Sequence, residues 1–136
     1  MQTSLFRLIV ALAIACAAPV EAQLARDAAI AKAEAILKNL QEGKTGDIVK
    51  EFDAKMKEAL PEAKLQGAWS SLIGQFGAFT KIEERREGQI RGRQAVELIL
   101  AFEKQTIVQR AVFDGEGKLA GLVFQPASNA LLPPAK

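Results

Sequence analysis

The chain has 136 residues, 49% hydrophobic and 25% charged, with a formal net charge of +2. Those proportions describe one globular domain and exclude disordered and fibrous classes. So small a net charge gives no field to hold nucleic acid or an anionic membrane surface, and a sequence with no histidine and no tyrosine lacks most conventional catalytic sets.

Arg7 precedes an unbroken apolar run over residues 8–18, closed by Pro19. The run is shorter than the roughly 20 residues that a membrane-crossing helix needs and fits a cleavable signal peptide. Val20-Glu21-Ala22 offers the small or aliphatic residues read by signal peptidase, so residues 1–22 are expected to be removed. The competing reading makes Cys16 a lipidation site, although the leucine usual three residues before such a cysteine stands one place early, at Leu12. Cleavage after Ala22 leaves no cysteine and so no disulfide. The expected product is a periplasmic or secreted protein without a transmembrane helix.

Residues 23–126 read as a single α+β domain. Ile30, Ala33, Leu37 and Leu40 recur at steps of three and four, one face of a first amphipathic helix that Gly43 and Gly46 bring to an end. Asp47 or Thr45 can cap a second helix, whose stripe is Ile48, Val49, Phe52, Met56 and Leu60. Pro61 suits the first turn of a third, with Leu65, Trp69, Leu72, Ile73 and Phe76 on one face and Gly77 as its stop.

From Ala78 the period changes to two, which marks strands. They are expected over residues 79–86, 94–103, 106–113 and 118–125, with Asp114-Gly115-Glu116-Gly117 as a hairpin turn. Short connections imply a four-stranded antiparallel meander. Two-residue turns would set Phe102 against Ile107, Val96 against Phe113 and Gln109 against Leu122. One face then carries Val96, Leu98, Leu100, Phe102, Ile107, Ala111, Phe113, Ala120, Leu122 and Phe124, and should pack on the helices. The other carries Ile99, Ala101, Val108, Val112, Leu119 and Val123 with Glu97, Glu103 and Arg110, an unusually apolar mixture for a solvated face. In that register Arg110 faces Gly121 and lies diagonal to Glu97, as a surface ion pair worth under about 1 kcal/mol. Residues 127–136, rich in alanine and proline, read as a flexible tail.

Phe52, Met56, Leu60-Pro61, Leu65, Trp69, Gly77, Phe79, Val112-Phe113-Asp114, Gly117-Lys118, Gly121-Leu122, Phe124 and Pro126 together resemble a bacterial family of domains of unknown function with a cystatin-like, or nuclear-transport-factor-2-like, fold. Members of that family stand alone after a signal peptide or precede a serine-type α/β-hydrolase domain. The resemblance spans residues 31–126 and implies three N-terminal helices on a curved four-stranded antiparallel sheet, often with a cavity between them. It implies no activity, because the matching residues are core, turn and cap types. No hydrolase is expected here, since only a short tail follows the last strand.

Few residues of the chain offer chemistry. Ser70 and Ser71 have no histidine to activate them, and no metal-ligand set is present. Gly43-Lys44-Thr45 lacks the glycine five positions earlier, where Lys38 stands, that a phosphate loop requires. The turn at Asp114 lacks the further ligands of a calcium loop, and the positive cluster Lys81, Arg85, Arg86, Arg91 and Arg93 is interleaved with Glu83, Glu84 and Glu87. A carboxylate-based enzyme would lack an oxyanion donor. The expectation is therefore a non-enzymatic module, with no cofactor and no metal, that binds a small apolar ligand through Trp69, Phe76 and Gln109 in a helix–sheet cavity or docks an envelope protein. The alternative is a homodimer formed through Ile99, Val108, Arg110, Val112 and Val123, which Val108→Glu should split.

Overall fold

The computed structural model describes residues 24–134. The expected signal peptide, its cleavage point and Cys16 lie outside the described residues. Helix α1 (Arg26–Gln41) forms where alanine and unbranched side chains dominate, and turns Ala29, Ile30, Ala33, Ile36, Leu37 and Leu40 inward.

The single second helix expected from the sequence is two, α2 (Thr45–Val49) and α3 (Ala54–Ala59). Between them Phe52 pairs in parallel with Leu119: the Leu119 N–H donates to Glu51 O at 2.7 Å and the Asp53 N–H to Leu119 O at 2.9 Å. Backbone groups that a continuous helix would pair internally are thus given to the sheet. Asp53 then restarts the helix by accepting from the Met56 N–H at 2.8 Å. Neither Asp47 nor Thr45 caps α2, whose N-cap is Lys44. Helix α4 (Glu62–Phe76) follows Pro61 and stops at Gly77, where a φ of +84° favours a residue without a Cβ.

Strands β1 (Phe79–Ile90), β2 (Arg93–Phe102), β3 (Thr106–Phe113) and β4 (Leu119–Pro126) form an open antiparallel sheet in sequence order. The fold is therefore α+β, with helices packed on one face of a four-stranded meander. Gly88 lies within β1, and the first hairpin turns at Arg91-Gly92 with both φ values positive.

Both later registers differ from the expected ones by two residues. Leu100 faces Ile107, Val96 faces Ala111, Gln109 faces Phe124 and Arg110 faces Val123. The β2–β3 turn is centred on Glu103-Lys104, one residue earlier than expected: the Phe102 N–H donates to Gln105 O at 2.9 Å, and the N–H groups of Glu103 and Lys104 donate to the carbonyls of Ala78 and Phe76. A two-residue slip leaves every side chain on its face, so Val96, Leu98, Leu100, Phe102, Ile107, Ala111, Phe113 and Leu122 still join the helices in one core. One irregularity does change faces. A bulge between Val112 and Phe113 sets Phe113 against Leu119, so Leu119 enters the core and Ala120 does not.

Of the segment expected as a flexible tail, residues 127–132 are hydrogen-bonded to the sheet. A 3-10 turn at Ala127–Asn129 folds it back, and the chain crosses the sheet from β3 towards β1 on the face away from the helices. We call residues 127–132 the strap.

Candidate functional site

Glu97 on β2 and Arg110 on β3 are direct cross-strand partners, Arg110 Nε to Glu97 Oε2 at 2.8 Å. The pair is neither diagonal nor superficial. Glu97 is 0% exposed and Arg110 9%. A buried carboxylate is tolerated only when its charge and lone pairs are matched, and the strap completes the match: Leu131 and Leu132 donate their N–H groups to Glu97 Oε1 at 3.0 and 2.7 Å, Leu131 also to Oε2 at 2.9 Å. Arg110 Nη2 donates to the Asn129 carbonyl at 2.8 Å and Nη1 to Gln125 Oε1 at 3.2 Å. On β1, Arg86 Nη1 reaches the Leu132 carbonyl at 3.0 Å, while Nε and Nη2 engage Glu84. The hydrogen bonds that Arg86 donates to Glu84 raise its pKa above the ordinary value.

The strap seals part of the face proposed for self-association. Ile99 is 6% exposed and Val108 0%. Beyond the strap the face stays open as a groove of about 430 Å³, floored by Val112, Gly121 and Val123 and walled by Leu131. Val123, at 40%, and Leu131, at 62%, are the large hydrophobic side chains that remain exposed among the described residues. Arg91 and Arg93 stand at the same groove. Both are exposed, and neither makes an ion pair among the described residues. Of the predicted interface residues, then, Arg110, Val112 and Val123 border a groove, whereas Ile99 and Val108 are covered.

The predicted ligand contacts lie on the other side of the sheet. The Trp69 ring packs at 5.8 Å on Phe102 and 6.2 Å on Phe124. Gln109, 0% exposed, faces Phe124 across β3–β4 and donates Nε2–H to the Ala33 carbonyl at 3.0 Å, while its Oε1 has no partner among the described residues. Phe76 sits in the last turn of α4, its carbonyl bound by Lys104. Phe124 thus brings Trp69 and Gln109 into one region of the core, and none of the three lines the groove.

A cleft of about 440 Å³ between α4 and β4 is lined by Leu65, Leu72, Leu122 and Phe124, and a smaller one, about 270 Å³, opens between α1, α2 and the β3–β4 end of the sheet, with Ile36, Ile48, Phe113 and Leu119 in its walls. The smaller cleft falls below the roughly 300 Å³ usual for ligand pockets. Of its rim, Lys32 is occupied with Glu51 at 3.0 Å and the Gly117 carbonyl at 3.1 Å. Among the described residues no cluster of potential metal ligands occurs, and no helix is long and apolar enough to cross a membrane.

The sequence reading missed the strap and the groove wall it supplies. The available signal was the conjunction of Glu97 and Arg110, opposite charges on apolar neighbouring strands, with the two leucines of an otherwise alanine- and proline-rich tail. Comparison with curated proteins and with solved structures finds no match. A family match does cover residues 33–122, from within α1 to β4, including Glu97 and Arg110 and ending before the strap. Since it covers well over half of the chain, the protein belongs to the family described as Protein of unknown function (DUF3887).

Proposed function

We propose that the protein is an exported, non-catalytic docking module that captures a segment of a partner protein in the groove on the outer face of its sheet. The partner segment pairs an apolar side chain with flanking carboxylates. The observation that carries this reading is the coincidence of exposed Val123 and Leu131 with Arg91 and Arg93, cations without an ion pair among the described residues, around one groove. Apolar contact supplies affinity there, and guanidinium groups favour carboxylates with forked hydrogen bonds. Export rests on the apolar run and cleavage pattern of residues 1–22, and the non-catalytic part on a sequence without histidine or tyrosine. The alternative, a small apolar ligand between helices and sheet, has less support, because Trp69 and Gln109 are engaged with core partners.

Fluorescence anisotropy with a labelled Asp-Leu-Leu-Asp peptide tests the groove. Binding should fall roughly tenfold on charge reversal of Arg91 and Arg93 together, and should weaken with added salt. Equal binding of an Asn-Leu-Leu-Asn peptide, or indifference to both arginines, would reject the reading. A stable dimer of the purified protein with the groove buried would assign the face to a second copy instead.

A further inference from the structure

We infer that the strap is a displaceable ligand of the outer face, bound in cis, and that the face beneath it is a receptor for an extended peptide carrying one leucine-sized side chain. This rests on the docking reading above and supplies its regulation: while the strap is seated, the part of the face at Glu97 and Arg110 is closed to a partner.

The manner of attachment carries the argument. Every polar group by which the strap is held across Glu97, Arg110 and Arg86 is main-chain: the N–H groups of Leu131 and Leu132 and the carbonyls of Asn129 and Leu132. Glu97 reads peptide donors, Arg110 and Arg86 read peptide acceptors, and none of these contacts depends on the identity of the strap side chains. The one deep side-chain anchor is Leu132, 5% exposed, which lies over Gly88 of β1 with its Cδ2 only 3.0 Å from where a Cβ there would stand. Backbone hydrogen bonds for affinity and one pocket for selectivity are the ordinary economy of peptide recognition on a sheet.

The strap can also leave without opening the core. Leu132, Ile99 and Val108 form no part of the cluster that joins the helices to the inner face, which is built from Leu65, Phe52 and the inward residues of β2 and β3. The strap donates no strand to the sheet. Its release exposes Glu97 and Arg110 to water still paired with each other across adjacent strands, so neither charge is stranded. Segments with a small, separate contact layer open below the global unfolding free energy.

Amide hydrogen exchange on the intact mature protein tests the strap by itself. The Leu131 and Leu132 amides should exchange about a hundredfold faster than those of Leu98 and Leu100. Exchange of both pairs at one common rate would overturn the proposal, whatever the groove binds. The receptor is tested with a fluorescein-labelled synthetic peptide of residues 127–136 and the full-length Leu132→Asp variant, whose own strap cannot seat. The peptide should bind this variant at least tenfold more tightly than the wild type, and a further Glu97→Gln change should abolish the gain. A folded Leu132→Asp protein that ignores the peptide, or a variant that loses its far-ultraviolet circular dichroism altogether, would equally overturn it. Because the Asp-Leu-Leu-Asp assay depends on Arg91 and Arg93 and the exchange assay does not, failure of the docking reading is distinguishable from failure of the strap.

Discussion

Glu97 concentrates the stability of the outer face in one carboxylate. It takes hydrogen bonds from Arg110, Leu131 and Leu132 with none of its surface exposed, so its replacement leaves a buried guanidinium without its countercharge. Glu97→Leu should therefore cost about 3–5 kcal/mol. The double change Glu97→Leu with Arg110→Met should cost less than Glu97→Leu alone, because no uncompensated charge remains. Urea unfolding of the two variants and the wild type decides this; a double variant less stable than the single would show that the pair acts by something other than mutual compensation. The sequence placed both residues on the right face, through strand alternation. It could not give their burial, because the strap groups that bind them lie 34 residues beyond Glu97 and 19 beyond Arg110.

Among the elements, the strand faces were legible because alternation is a local signal, and the third strand falls on residues 106–113 as expected, whereas β1 runs on to Ile90, past its expected end at residue 86. The registers were not legible, since the Glu103-Lys104 turn, bonded to the α4–β1 junction, stands one residue earlier than alternation suggests, and the β3–β4 pairing carries a bulge between Val112 and Phe113. Backbone bonding to a distant strand split the second helix. Ile48, Phe52 and Met56 continue one helical stripe, but Leu119 claims the backbone on either side of Phe52. Asp53 is then a cap in mid-stripe, and Asp53→Ala should lower stability by about 1 kcal/mol, seen as a fall in the thermal midpoint. If α3 simply continued the preceding helix, Ala at this position would raise the midpoint instead, as the better helix former.

At the level of the whole molecule, the sheet is covered on both faces, by helices on one and partly by the strap on the other. Val108→Glu, suggested by the sequence as a means of splitting a dimer, should instead destabilise the protein by about 2 kcal/mol or more, since a carboxylate would enter a site with 0% exposure. Chemical denaturation together with light scattering separates the outcomes: a smaller particle of unchanged stability would restore the dimer interpretation. What the sequence by itself determined is the α+β class, the order of helices and strands, the two faces of the sheet and the poverty of catalytic groups, all of which follow from composition and local periodicity. What only the tertiary structure decided is the register, the fate of Leu119, the burial of Glu97 with Arg110 and the course of the strap. Each of these depends on contacts between residues far apart in the chain, and a composition that reads as loose becomes ordered once distant side chains satisfy its backbone.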